Sequence, residues 1–302
     1  MTAVFVYTDD MLHKLFHKLN TGVLIALTAV SYLALAFVVY FIFREALPLF
    51  SQVSVWDFLT GTRWMPVDYG SGTAFGIFNF IAASVIVSLL AMIFASVLGL
   101  GAAVFLSCAA SEKIRRVIYP FIDLLAGVPS VIYGFIGIVV LLKIFLKVGV
   151  HTGSCVLAAS ILLSVMLLPF LVSSCSETML KMKEHYLPGA RAMGIDYWYG
   201  VATIVLPSSF KNILLTMMLA IGRAMGETMA VMMVIGNANL FPTLLGKSET
   251  IASVIALEMG TAVADSPHYH ALYAAGLVLM LLVFLINTGI AFLRNRLIRK
   301  EA

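Results

Sequence analysis

Charge is what this 302-residue chain has least of. Asp, Glu, Lys and Arg make up 11% of it, where a soluble domain carries about a quarter. That leaves too little polar sequence for a separate soluble domain. The net charge is only +4, and the basic residues are scattered at segment ends without interleaved aromatics, which argues against a nucleic-acid surface. Cysteine is just as sparse. Cys108, Cys155 and Cys175 form no C-x-x-C pair and lie in or beside apolar segments, so they read as small apolar fillers.

Motifs for chemistry on this chain are missing as well. No H-E-x-x-H occurs, and no Ser/His/Asp arrangement stands out. Gly246-Lys247-Ser248 ends like a phosphate-binding P-loop, but the first glycine of that motif falls on Phe241. Gly99-Leu-Gly101 starts like a dinucleotide fingerprint, but Val104 takes the third glycine's place. His268 and His270 have no further metal ligand near in sequence. His13 and His17, flanked by Lys14 and Lys18, fit an interfacial helix better than a metal site. No cleavable leader is apparent, because the first apolar run starts near Val23 after a polar stretch and is too long for one.

What is present is apolar sequence, 62% of the chain at a mean hydropathy of +1.04. It divides into six candidate spans at roughly 21–43, 77–108, 118–142, 154–175, 210–235 and 270–293. Trp56 and Trp64, in the loop after the first span, suit an interfacial belt. With the N-terminus inside, the inner segments carry thirteen Lys and Arg and the outer loops five. This predicts both termini on the cytoplasmic side.

Two stretches break the apolar pattern. The segment 177–211, interrupted by Pro188, Gly194 and Pro207, predicts a short helix, a tight turn at Gly194 and a second short helix. It is either a docking knob or a plain interfacial loop. Gly222-Arg-Ala-Met-Gly-Glu227 puts two charges into the fifth span. Arginine at mid-bilayer costs about 3 kcal/mol on insertion scales. At spacing i, i+4, Arg223 and Glu227 would share a helical face about 6 Å apart, as an ion pair locking helices or as a charge station on an anion path. Gly222 and Gly226 offer a Gly-x-x-x-Gly packing face. Pro129 interrupts the third span, where Ser130 and Tyr133 are either hydroxyl donors to an anion or neighbours of a simple kink. Asp123, in the same span, has no readable partner.

These residues carry a resemblance. Ala190-x-x-x-Gly194 followed by Ile204-x-Leu206-Pro207 resembles the E-A-A-x-x-x-G…I-x-L-P loop of ABC importer permeases. The family's glutamate falls on Pro188 here, and its first alanine on Gly189. Gly222-Arg-Ala-Met-Gly-Glu-Thr-Met-Ala-Val231, followed by Gly236-Asn237, is similar to the PstC-type permease subunits of high-affinity phosphate ABC transporters. Trp56-Asp-Phe-Leu-Thr-Gly61, Pro129-Ser-Val-Ile-Tyr-Gly134, Glu258 and the last span agree, so the resemblance covers about 50–293.

The resemblance implies an all-α polytopic membrane protein with six transmembrane helices in the type I importer fold. Residues 1–75 would form the N-terminal segment, first helix and first outer loop, 76–293 the transmembrane domain and 294–302 a basic tail. It implies a phosphate path through Arg223, Glu227 and Thr228, with Ser130 and Tyr133 beside it. Coupling to an ATPase would run through Ala190, Arg191, Gly194, Leu206 and Pro207. The implied partners are a homologous PstA-like permease, an ATPase dimer and a periplasmic phosphate-binding protein. ATP and Mg would sit on the ATPase, with no cofactor on this chain. Permeation of sulfate or molybdate, a stand-alone anion channel, and an integral-membrane enzyme are the competing readings.

Overall fold

The computed structural model describes residues 2–68, 70 and 72–299, and the side chains of 21–68, 70 and 72–292. The side chains of His13, Lys14, His17 and Lys18 and of the basic tail 294–302 lie outside the described residues. Among these residues twelve α-helices follow in order, with one two-stranded antiparallel hairpin that pairs Trp64 with Phe75 and Met65 with Ala74. Six helical runs among the described residues are long and apolar enough to cross a membrane: Thr21–Ser51, Phe78–Ala109, Ser130–Lys147, Val156–Ala192, Tyr197–Met225 and Pro267–Phe292.

The spine is the pair α3 (Phe78–Val104) and α7 (Val156–Ala192). Gly99 lets the two approach closely, since a Cβ there would sit 3.2 Å from Leu171 Cβ. Around them Val87, Ala91, Leu163, Leu167 and Leu171 close the main core, together with Ala220, Ala224, Ala230 and Val234. A second core of Leu49, Phe58, Ile77, Phe80, Ile251 and Leu272 lies at one end of the bundle, called here the loop end. Helix α1 (Thr2–Ala46) lies at the periphery against α12 (Pro267–Arg299), with Phe41 edge-on to Tyr273 at 5.7 Å. The apolar stretch of its span is unburied. A helix apolar all round with no protein cover is matched to hydrocarbon.

Three expected spans are drawn differently. The stretch 118–142 is two elements: an amphipathic helix α4 (Glu112–Gly127) with no buried residue, and a span that starts at Ser130. Pro129 forces the extended conformation on Val128 (φ −69, ψ 127) and so ends α4. Ser130 then opens α5 (Ser130–Ile136), which continues through a π-helical turn at Gly137–Leu141 into α6 (Leu142–Lys147). The fourth span runs on to Ala192, because Pro188 is accommodated inside α7. The fifth starts at α8 (Tyr197–Gly200), passes a π-helical turn at Val201–Val205 and ends with α9 (Leu206–Met225). Residues 226–228 are not helical, and α10 (Met229–Ile235) is a separate piece. The segment 177–211 therefore holds the ends of two long helices and not two short ones.

Candidate functional site

The breaks after α4 and after α9 lie side by side. α5 and α10 pack along each other, and the glycines of α5 make this possible. A Cβ on Gly134 would run into Met233 Sδ and lie 3.2 Å from Ala230 Cα, and one on Gly137 would lie 2.7 Å from Val234 Cγ1. Because Gly134 meets 230–233 and Gly137 meets 234, the two pieces run parallel, with both N-termini at the same level. Non-helical backbone at membrane depth persists only where protein or water satisfies it. Here Glu227 Oε1 accepts from Ala230 N at 3.3 Å, and Thr228 Oγ1 donates to Gly226 O at 3.2 Å.

Arg223 sits in the last turn of α9, where a cation is favoured by the helix dipole. It is exposed, and it makes no hydrogen bond or ion pair with any described residue. The expected i, i+4 pair with Glu227 is not formed. Gly226 ends the helix between them, so the two residues no longer share a helical face, and Glu227 bonds the first turn of α10 instead. Gly222 lies against α12, 3.5 Å from Asn287 Nδ2 measured from a built Cβ, whereas Gly226 meets only its own helix backbone. The two glycines thus do not act as one Gly-x-x-x-Gly face. Tyr133 is buried, and its hydroxyl donates to Leu125 O at 2.9 Å, which staples α5 back onto α4. It is no free donor to an anion. Ser130 is half-buried at the first position of α5.

At the opposite end of the bundle α7 turns into α8 through an elbow. Gly194 adopts φ +82, its N–H donates to Arg191 O at 3.0 Å, and Ile195 N donates to Ala190 O at 3.1 Å. This is the left-handed stop that glycine supplies at a helix C-terminus. Asp196 caps α8 by accepting from Trp198 N at 3.0 Å and Tyr199 N at 3.4 Å. Ala190 is buried and Leu187 presses on Gly200, while Arg191 and Pro207 are exposed and Leu206 is half-buried. Tyr186, Met193, Trp198 and Tyr199 project from the elbow with 43%, 75%, 55% and 64% of their surface exposed. Exposed side chains of this size make the elbow a candidate interaction face. Its aromatic members were missed in the sequence, where the loop motif drew attention to the small residues between them. Tyr197, which bonds Cys108 O, and Lys183, which bonds Ser107 O at 3.0 Å, brace the elbow against the end of α3.

His268 is no metal ligand. Its Nε2 lies 2.7 Å from Glu258 Oε2, which also accepts from Trp64 Nε1 at 2.9 Å, and no group of metal-ligating side chains occurs among the described residues. This knot ties the hairpin to α11 (Ile251–Glu258) and α12. Two residues before α11, Glu249 is buried with no side-chain hydrogen bond to a described residue, and burial, helped by the nearby Glu258 charge, pushes its carboxyl up to about 7.

Comparison with known proteins places this geometry. The family model described as "binding-protein-dependent transport system inner membrane component" matches residues 95–300. A Xylella fastidiosa protein named phosphate transport system permease protein PstC is 32% identical over 307 residues, covering 95% of this chain and 92% of the relative. A Bacillus subtilis protein named probable ABC transporter permease protein YqgH is 34% identical over 250 residues, covering 82% and 80%. Among solved structures, an inward-facing MetNI methionine ABC transporter superposes with a TM-score of 0.57 at 16% identity, covering 71% of this chain and 92% of that one. A bacterial ABC transporter that imports alginate gives 0.55 at 13%. With the family model matched from residue 95 in α3 onward, and relatives above 30% identity over nearly the full length, this chain belongs to the inner-membrane permease components of binding-protein-dependent ABC transport systems.

Proposed function

We propose that the protein is the permease subunit through which an ATP-driven importer moves inorganic phosphate across the inner membrane. Relatives named as phosphate permeases support the substrate. Membership of the family implies an ATPase and a substrate-binding protein as partners. In the finer reading the chain pairs with a PstA-like permease around a central path. ATP and Mg stay on an ATPase dimer, and the elbow docks in that dimer's clefts. The Lys and Arg asymmetry supports an orientation with both termini and the elbow inside and the loop end outside.

The observation that carries the reading is Arg223. A guanidinium kept at a helix break among apolar spans, exposed and without a partner among the described residues, is a donor fork held for a ligand. A tetrahedral oxyanion matches that fork. Glu227, bonded to α10, places a negative charge nearby, which limits how tightly phosphate is held and so favours its release. Closure of the ATPase on ATP moves the elbows, and the motion enters the path through α7 and α9, which meet there. Arg223→Gln in the assembled complex, reconstituted with loaded binding protein, is expected to lower phosphate uptake at least about a hundredfold, in line with losing a charged, desolvated contact. Normal uptake would remove Arg223 from the path, and uptake of sulfate in preference to phosphate would overturn the substrate.

A further inference from the structure

At the loop end a hollow of about 350 Å³ opens between the α6–α7 turn and the segment that leads to Lys247. Its polar lining is His151, Thr152, Ser154 and Lys247, and no carboxylate contributes to it. None of these four side chains makes a hydrogen bond or ion pair with a described residue. Hydroxyls elsewhere in this chain behave differently: those of Thr28, Ser84, Ser160 and Ser209 are spent on the carbonyl four residues earlier. The hollow collects unspent donors and one cation.

Its walls are fixed. Gly153 turns the chain at φ +71, where a Cβ would lie 2.9 Å from the Leu142 carbonyl carbon, and Gly153 N donates to Val150 O at 3.0 Å. The two walls are joined by Val156 N to Gly246 O at 3.0 Å and Leu157 N to Leu244 O at 2.9 Å. The Lys247 stem lies across Gly236, whose φ of +103 and lack of a side chain make room for it; a Cβ there would be 2.7 Å from Lys247 Cγ. Gly236 also ends α10, so only the seven residues of α10, about 10 Å, separate this edge of the hollow from the break beside Arg223.

We propose that this hollow is a binding site for a phosphate oxyanion. Lys247 supplies the charge, and Thr152, Ser154 and the His151 ring supply hydrogen-bond donors. The inference rests on phosphate as the cargo. A tetrahedral oxyanion accepts from several directions at once, and a compact ammonium with two hydroxyls satisfies it without a guanidinium fork. One lysine in an open hollow holds the ion loosely, which suits a first station on a path that must also release it. The same chemistry fits the headgroup phosphate of an outer-leaflet lipid, so the two sources have to be separated.

The test is lysine labelling on the assembled complex, in detergent and in phospholipid nanodiscs, with inorganic phosphate titrated against chloride. An amine-reactive reagent is applied and modification is read by peptide mass spectrometry. Saturating phosphate is expected to slow labelling of Lys247 about fivefold while the exposed Lys143 and Lys147 of α6 stay unchanged. The double variant Thr152→Val, Ser154→Ala is expected to need about tenfold more phosphate for the same protection, as loss of charge-assisted hydrogen bonds implies. Slowing that needs added phosphate assigns the free ion. Slowing in nanodiscs before any phosphate is added assigns the headgroup. Unchanged Lys247 in both media, or equal slowing at all three lysines, overturns the site. Protection that persists in Arg223→Gln, combined with normal uptake by that variant, would sink the Arg223 path alone. Absent protection together with lost Arg223→Gln uptake would sink this site alone.

Discussion

At the Val128–Pro129 break the tyrosine hydroxyl is committed to the fold, whereas at the Gly226–Thr228 break the arginine is not. Tyr133 spends its hydroxyl on Leu125 O and is buried. Arg223 bonds no described residue and is exposed. Both breaks interrupt a helix at the same level, and α5 and α10 lie against each other just beyond them. One break has the character of a joint, the other of a joint that presents a charge. An irregular backbone in a membrane bundle is therefore not by itself a sign of a ligand; what separates the two is whether a charged side chain is left over after the backbone has been satisfied.

The comparison can be broken from either side. The largest effect is the loss of uptake in Arg223→Gln described above. Gly134→Val comes next. It would drive two methyls into Met233 and toward Ala230 Cα, part α5 from α10 and lower the yield of assembled complex about tenfold, as measured by co-purification with the ATPase. Full assembly would mean the two pieces need not touch.

Glu249 gives a third contrast, an acid that, like Arg223, has no partner among the described residues but is buried. Its folded carboxyl titrates near 7 against an ordinary 4.5, because burial disfavours the charged form and Glu258 adds repulsion. A group raised in this way contributes its stability fully below about 4.5 and loses it as pH rises through 7, by at most about 3 kcal/mol at 1.36 kcal/mol per unit. Thermal unfolding of the complex, followed by intrinsic fluorescence, should move to lower temperature from pH 5 to pH 8, and Glu249→Gln should flatten that slope. An equal slope in the variant would show that Glu249 is not the group responsible. The smallest effect is Tyr133→Phe, which removes one neutral hydrogen bond worth about 1 kcal/mol. Uptake should stay within about twofold of the parent. A tenfold loss at unchanged stability would return Tyr133 to the path.

The class of the molecule and the number of its spans were legible because apolar runs of membrane length need no tertiary information. The turn at Gly194 was legible for a similar local reason, since a positive φ after a helix asks for glycine. The Pro129 break was visible through proline chemistry. The Gly226 break was not, because hydropathy runs on through Met225, Met229 and Val231, and no local rule stops a helix at Gly-Glu-Thr. That one omission produced the expected Arg223–Glu227 pair, which needed an unbroken helix. In the Glu258–His268–Trp64 knot the Trp64–Glu258 bond alone joins residues 194 positions apart, and no spacing rule could have assembled it.

The 37 residues of α7 have a mechanical consequence. A helix of that length is a rod of about 55 Å, so each degree of tilt at one end displaces the other by about 1 Å. Its first amides are hooked to the carbonyls of Leu244 and Gly246, and its last turn is locked into the elbow. A beam clamped at both ends does not swing; it bows where its bending stiffness is lowest. That place is near Pro169, where one rung of the hydrogen-bond ladder is missing in the interior of the bundle. Force applied at the elbow would bend the rod near Pro169 first.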